Sequence, residues 1–260
     1  MRGSGTFWNP RGERQLKHMI STQDALVLVE KSADRFVDAV GALGEGELRA
    51  PALLDGWTRA DGIAHVAQAL GAYVRILRIA ARGGAAGDPA EGSAELAAYL
   101  RAVGETAAQP GPVLTAELRE CADEFTSRAR ALDPSVWDRE VTSKGGWRHS
   151  TRYTLLRCLR ELETHHTDLG IGYDSTNWPG PYMSWALDDT LRTLRSRGFP
   201  LASVEATDLG MHWDISPSGP RVALPAHLLL GWLAGRTPAE ALGDGPLPVP
   251  PPWPQPPVTV

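Results

Sequence analysis

The stretch TRYTLLRCLRELETHHTDLG, residues 151 to 170, decides the fold of this chain. Two sets of its residues recur at steps of three and four, which is the spacing of positions along one face of a helix. The first set is apolar except for one histidine: Leu155, Leu159, Leu162, His166 and Leu169. The second set is mostly polar or titratable: Thr154, Cys158, Glu161, His165 and Asp168. We therefore predict one amphipathic helix that begins at Ser150 or Thr151 and packs its apolar set into a core.

Three more long helices are predicted upstream of this stretch. Ser21 and Thr58 are each followed three residues later by an aspartate, a pattern typical of helix starts. Apolar residues then recur at helical spacing to about Gly41 and through Arg82. A third long helix is predicted from Val113 to Leu132, after a short helix around residues 95–103. Four long amphipathic helices connected by loops are typical of a four-helix bundle.

The composition changes after Pro179. We predict a helix between Pro181 and Gly198, two short strands in FPLASVEATDLGMHWDIS, another strand at residues 222–224, and a helix in HLLLGWLAGRTP that Pro238 stops. The predicted fold class is α+β, mainly α: a four-helix bundle followed by a small α+β C-terminal domain. The predicted divisions are 1–19, a cloning remnant or disordered extension; 20–175, the bundle; 176–245, the α+β domain; and 246–260, an extended proline-rich tail.

Charge and hydropathy argue against several classes of partner. The net charge is −5 with 22% charged residues, so no basic field exists to attract nucleic acid or an anionic membrane. No apolar run approaches the roughly 20 residues that span a bilayer, and the N-terminus lacks the apolar core of a signal peptide. Cys121 and Cys158 have no CxxC spacing. We expect a cytoplasmic monomer that acts on small molecules.

The polar face of residues 151–170 is a candidate metal site. Glu161 and His165 lie one helical turn apart, so both can bind one ion, and bundle metal sites are completed by a ligand from a facing helix. His65, on the second long helix among small alanines, is the candidate third ligand. Asp168 is one turn beyond His165 and is a candidate acceptor for that imidazole.

Structural interpretations of the same residues stay open at this point. A glutamate and a histidine four residues apart also occur on solvated helix faces, and a lone buried histidine is usually part of a core. We interpret His166 as such a core histidine and Cys158 as a structural thiol. Arg160 and Glu163 are expected on a polar face. Three ligands of these types suit zinc and leave one coordination position open, as in catalytic sites.

Three segments resemble the mycothiol-dependent maleylpyruvate isomerase family, which is related to the metal-binding DinB-like bundles. They are LLDGWTRADGIAHVAQ, RELETHHTDLGIGYDSTNWP and LLLGWLAGR, and the similarity extends from about residue 21 to Trp253. The resemblance implies that His65, Glu161 and His165 hold zinc. It also implies that Arg236 is an active-site residue that binds a carboxylate of the substrate or of the thiol cofactor. An arginine that offsets a helix dipole is the structural alternative for Arg236.

The resemblance further implies the chemistry. Mycothiol, bound to zinc as a thiolate, would attack the conjugated double bond of maleylpyruvate, allow rotation about the resulting single bond, and leave. A mycothiol S-transferase in specialised metabolism, in which the adduct is kept, is the first alternative. A noncatalytic metal-binding or sensor bundle and a metal-assisted hydrolase are further alternatives. Loops containing Gly145, Gly146, Trp147, Tyr173 and Trp178 are candidate walls of the acceptor pocket, with core packing as the other explanation.

Overall fold

A helical bundle forms the first part of the molecule. The structure, a computed structural model, describes residues 20–83, 92–142, 148–243 and 245–254; the predicted N-terminal extension 1–19 lies outside these residues. The α-helices up to Gly170 are α1 (Thr22–Gly41), α2 (Glu45–Leu48), α3 (Arg59–Ala81), α4 (Gly92–Ala107), α5 (Gly111–Ala131) and α6 (Thr151–Asp168). The predicted long helices correspond to α1, α3, α5 and α6. The predicted short helix, α4, is longer than residues 95–103 at both ends.

Side-chain caps begin two of the long helices where the sequence predicts them. The Ser21 hydroxyl accepts a hydrogen bond from the amide of Asp24 at 3.0 Å. At the start of α3, the amide of Asp61 donates to the Thr58 hydroxyl at 3.2 Å, and the Asp61 carboxylate accepts from the Thr58 amide at 2.8 Å. These bonds satisfy amides that have no partner inside the helix.

The four long helices pack in a closed ring: α1 against α6, α6 against α3, α3 against α5, and α5 against α1. Large side chains from each helix fill the interior and are fully buried, among them Phe36, Leu70, Phe125 and Leu159. Helix α4 packs on α3. The apolar periodicity therefore predicted correctly which helix faces form the core.

A short antiparallel hairpin precedes α6. It consists of β1 (Glu140–Thr142) and β2 (Arg148–Ser150), and Val141 is paired with His149. The sequence did not indicate this hairpin, because strands of three residues are too short for a clear alternating pattern. The glycine loop and Trp147 lie outside the described residues.

The C-terminal region contains the predicted mixture of helix and strand. Helix α7 (Gly180–Ser196) is followed by β3 (Ser203–Ala206), β4 (Met211–Asp214), β5 (Arg221–Leu224) and α8 (Ala226–Leu233). Strand β3 is central, antiparallel to β4 and parallel to β5. Helix α8 ends before Pro238, because Gly235 adopts the left-handed conformation with φ 72°. The division at residue 175 falls in the loop between α6 and α7 and stays a prediction.

Two charged residues of α6 are not on a polar face as expected. Arg160 is 3% exposed and Glu163 is fully buried. The Arg160 guanidinium lies between the indole rings of Trp185 and Trp253, with its Cζ 4.7 and 5.0 Å from their centroids, and it pairs with Asp189 at 2.5 Å. The expectation was wrong because the C-terminal region covers this side of α6.

Glu163 is buried on the α1 side of α6. Its carboxylate accepts hydrogen bonds from the Ser32 and Tyr173 hydroxyls and from Arg35. These partners come from α1 and from the loop after α6. A single helix pattern cannot reveal such partners, so Glu163 appeared to be a solvated residue.

Trp253 anchors the described part of the proline-rich segment. Residues 245–254 form no helix or strand. The Trp253 indole N–H donates to the Thr190 hydroxyl at 3.0 Å, in addition to its contact with Arg160. The predicted extended course of the tail stays a prediction, and residues 255–260 lie outside the described part. Among the helices that the structure describes, none is both long enough and apolar enough to cross a membrane.

Trp253→Ala removes the anchor of this segment. We expect the free energy of unfolding to fall by about 1–3 kcal/mol, because the indole packs on Arg160 and bonds Thr190. Urea denaturation measures the change. Val249→Ala is the control: Val249 is 88% exposed, and its truncation should change stability by less than about 0.5 kcal/mol. Equal stability of the two variants would contradict the proposed anchoring.

Candidate metal centre

His65, Glu161 and His165 meet between α3 and α6. Each offers one ligand atom, and the three atoms lie within 4.8 Å of one another. The Glu161 Oε2 atom is 3.3 Å from Nε2 of His65 and 3.2 Å from Nε2 of His165. The two imidazole centroids are 4.4 Å apart. The structure therefore brings the three predicted ligands together, with two nitrogens and one oxygen facing a common point.

Each of these side chains has a second hydrogen-bond partner on its outer side. His165 Nδ1 is 2.9 Å from Asp168 Oδ2, and His65 Nδ1 is 2.7 Å from the Tyr99 hydroxyl. The Tyr73 hydroxyl donates to the other Glu161 oxygen, Oε1, at 2.9 Å. With both Nδ1 atoms hydrogen-bonded outward, both Nε2 atoms are oriented toward the shared point.

Sequence reasoning identified Asp168 but missed both tyrosines. Tyr73 lies two turns after His65 on the same face of α3, so its position was readable from helical spacing. Tyr99 belongs to α4, and no pattern in the sequence shows that this helix packs beside His65. Burial and the nearby Glu161 carboxylate raise the pKa of Tyr73 well above its ordinary value, so its hydroxyl keeps the proton.

The surroundings of the cluster favour a positive charge. Burial alone would lower the pKa of His165, but its hydrogen bonds to Asp168 and Glu161 outweigh this effect and raise the pKa to about 9. Burial alone would raise the pKa of Glu161, yet hydrogen bonds with His165 and His65 hold it well below its ordinary range. The Glu161 carboxylate, held as an anion beside both imidazoles, is an environment that stabilises a cation.

Arg236 reaches this cluster through Asp168. Its Nε donates to Asp168 Oδ1 at 2.9 Å and its Nη2 donates to Oδ2 at 2.8 Å, while Nη1 donates to the carbonyl of Ala234. The guanidinium is thus paired bidentately with the carboxylate that also contacts His165. Of its five N–H donors, these bonds use three. Arg236 therefore makes a structural contact with the Ala234 carbonyl at the end of α8 and has two further N–H donors.

A close turn after α8 positions Arg236. The amides of Arg236 and Thr237 both donate to the carbonyl of Gly231, at 2.7 and 3.0 Å. A Cβ at position 231 would lie 2.2 Å from the Thr237 hydroxyl oxygen. The GWLAGR segment therefore needs a glycine at position 231 for the chain to pass this closely.

Aromatic rings form the walls beside His65. The rings of Trp57 and Tyr99 meet its imidazole edge-on, with centroids 5.4 and 5.9 Å away. The sequence suggested instead that small alanines leave space there. The side chains of His65, Glu161 and His165 are 21%, 18% and 13% exposed, so the cluster is partly open to solvent.

Other residues considered as site components are in the core. Trp178 is buried, and its indole N–H bonds Thr167 at 3.0 Å. Tyr173 is partly buried against the core and stacks on His166 with centroids 3.9 Å apart. These contacts correspond to the core-packing explanation of the two aromatics, and their place in an acceptor pocket stays a prediction. Cys158 is fully buried and is not one of the clustered residues, which agrees with a structural thiol.

Known proteins share the fold of this chain. The family model described as the mycothiol maleylpyruvate isomerase N-terminal domain matches residues 29–170. A crystal structure of the mycothiol-dependent maleylpyruvate isomerase superposes with a TM-score of 0.77 at 20% sequence identity, covering 90% of this chain and 97% of that chain. A histidine-to-alanine mutant of that isomerase gives a TM-score of 0.76 with the same identity and coverage. Among curated proteins, none matches this chain. The superposition shows that the chain has the DinB-like maleylpyruvate isomerase fold, mostly helical with a small sheet region.

Gly231→Ala tests the turn that positions Arg236. We expect a loss of about 1–3 kcal/mol in the free energy of unfolding, because the added methyl group displaces Thr237. Thermal or urea denaturation measures the loss. Gly104→Ala is the matched control: Gly104 is in α4 with open space at its Cβ position, so alanine should raise stability by roughly 0.5–1 kcal/mol. The same gain in both variants would contradict the close approach.

Proposed function

This chain belongs to the mycothiol maleylpyruvate isomerase family, and on that premise we propose that it is a zinc-dependent enzyme that uses mycothiol as its nucleophile. The proposed reaction is cis–trans isomerisation of maleylpyruvate or a similar cis-enoyl acid. Reversible formation of one C–S bond to the conjugated double bond allows rotation about the single bond that results. Breaking that C–S bond returns the trans acid and the free thiol.

The observation that carries this proposal is the convergence of one ligand atom each from His65, Glu161 and His165 within 4.8 Å. This donor set fits zinc, which binds imidazole nitrogen and carboxylate oxygen, and three protein ligands leave a position for a further ligand. A bound zinc ion lowers the pKa of a coordinated thiol, so a thiolate is present at neutral pH.

The charges of the chain's own residues also favour a thiolate. With zinc bound, the two imidazoles would be neutral, and together with the Glu161 carboxylate they would leave one formal positive charge on the ion. Asp168 adds no net charge because Arg236 pairs with it at 2.8 Å. A thiolate would neutralise the remaining charge in this partly buried site, where electrostatic interactions are stronger than in water.

Asp168 and Arg236 have positioning and binding roles in the proposed enzyme. Asp168 holds the Nδ1 proton of His165 and so keeps Nε2 available as a ligand. Arg236 keeps Asp168 ionised, since its charge and hydrogen bonds, with those of His165, outweigh burial and lower the pKa of Asp168. The two remaining donors of Arg236 are proposed to bind a carboxylate of the substrate or of the thiol.

His65→Ala and His165→Ala test the proposed zinc ligands. Purified wild-type protein should contain about one zinc per chain by elemental analysis, and each variant should lose it while retaining its helix content by circular dichroism. His212→Ala, a change at an exposed histidine outside the cluster, is the matched control and should keep the metal. Full occupancy in both ligand variants would contradict the assignment.

The same samples distinguish the candidate reactions. Mycothiol should bind the wild-type protein in calorimetric titration, and the binding should disappear after chelation of the metal. A trans acid with recovered thiol identifies an isomerase, and a stable thioether product identifies an S-transferase. Zinc without any thiol affinity would favour the noncatalytic or hydrolytic alternatives and contradict the proposal.

Arg236→Lys tests the planar guanidinium. An ammonium cannot pair bidentately with Asp168 and also hold a second carboxylate, so we expect kcat/KM to fall roughly 10-fold or more while zinc content is unchanged. Arg221→Lys, on strand β5 outside the cluster, is the control and should leave kinetics unchanged. If Arg236→Lys has wild-type kinetics, the carboxylate-binding role is contradicted and Arg236 has a structural role only.

A further inference from the structure

We propose that Tyr73 keeps Glu161 a one-oxygen ligand and thereby reserves the coordination position in which the thiol binds. This inference rests on the proposed function, because it concerns how the chain's own residues would hold zinc. Tyr73 is a positioning residue here: it contacts Glu161 and neither the metal nor the substrate.

The two oxygens of Glu161 have different partners. Oε2 is the oxygen near both imidazoles, 3.3 Å from His65 Nε2 and 3.2 Å from His165 Nε2. Oε1 accepts the hydrogen bond of the Tyr73 hydroxyl at 2.9 Å. The carboxylate is therefore oriented with one oxygen toward the ligand cluster and one toward α3.

Tyr73 is held firmly enough to maintain that orientation. It is 4% exposed, and its ring meets Phe125 edge-on with centroids 6.3 Å apart. The Arg157 guanidinium lies over the same ring, with its Cζ 5.3 Å from the centroid. Packing from α5 and α6 thus fixes the phenol, so its hydroxyl cannot follow Glu161 if the carboxylate turns.

Glu161 differs from the two histidines in having a choice of binding mode. An imidazole offers one nitrogen to an ion while the other is bonded outward, but a carboxylate binds through one oxygen or through both. A second oxygen from Glu161 would occupy the position that four-coordinate zinc leaves open. The hydrogen bonds of Tyr99 to His65 and of Asp168 to His165 do not change the number of coordinating atoms, because each imidazole binds an ion through one nitrogen. The Tyr73 hydroxyl therefore controls access of the thiol more than retention of the metal.

Tyr73→Phe in the full-length zinc-loaded protein is the test. We expect zinc to be retained, with its affinity changed by less than about 10-fold, the lower end of usual effects of removing a ligand's hydrogen-bond partner. Affinity for mycothiol in calorimetry should fall by more than about 10-fold, a change of one decade in Kd. X-ray absorption at the zinc edge, at a mycothiol concentration that saturates the wild-type protein, should detect a sulfur neighbour in wild type and an oxygen neighbour in its place in Tyr73→Phe.

Tyr153→Phe is the matched control. The Tyr153 hydroxyl also donates to a carboxylate, that of Asp189 at 2.8 Å, and Tyr153 lies on the same helix as Glu161 and His165 but outside the ligand cluster. Its loss should lower stability without changing the zinc neighbours or thiol affinity. A general effect of losing a tyrosine hydroxyl would appear equally in both variants.

The outcomes separate this inference from the proposed function. If wild-type protein binds zinc and mycothiol and Tyr73→Phe has the same zinc neighbours and thiol affinity, the role of Tyr73 is overturned and the proposed function stands. Loss of zinc from Tyr73→Phe would also overturn it, because Tyr73 would then support metal retention. If wild-type protein binds no zinc, the proposed function itself fails.

Discussion

The capping of the C-terminal end of α6 by the chain before α3 is the interaction on which the site depends. The last carbonyls of a helix have no partner within it. Here the Leu53 amide donates to the Asp168 carbonyl at 2.7 Å, and Arg59 Nε donates to the Leu169 carbonyl at 2.8 Å. The start of α3 is thereby held against the end of α6, so the two helices run antiparallel. In this register His65 faces His165, and later in α3 Tyr73 reaches Glu161.

Helix α6 is enclosed on its remaining sides, and this explains how polar residues can occupy it at such density. A buried charge is tolerated when it is paired and hydrogen-bonded. Arg160 pairs with Asp189 of α7, and Asp168 pairs with Arg236 beyond α8. The C-terminal region therefore completes the electrostatics of the bundle as well as covering it. Asp168 connects the two parts because it contacts both His165 and Arg236.

Local patterns predicted much of the fold and the clustered residues. Helix starts at Ser21 and Thr58 are readable because the capping bonds involve residues three apart. Glu161 and His165 could be placed on one face of the helix because they are four residues apart, and helical geometry alone puts such residues side by side. Partners from distant segments were not readable: Tyr99 comes from a separate helix, and Glu163 looked solvated although groups from α1 surround it. The hairpin before α6 was missed because its strands are too short to show a period.

By itself the sequence determined which residues are helical, which faces are apolar, and which side chains share the polar face of α6, because these features depend on contacts within a few residues. The tertiary structure alone decided that His65 meets that face, that Glu161 divides its oxygens between the cluster and Tyr73, and that Arg236 is paired with Asp168. Each of these depends on the antiparallel register of α3 and α6 or on the turn at Gly231. Such contacts join residues far apart in the chain, and their distances follow from packing rather than from local spacing.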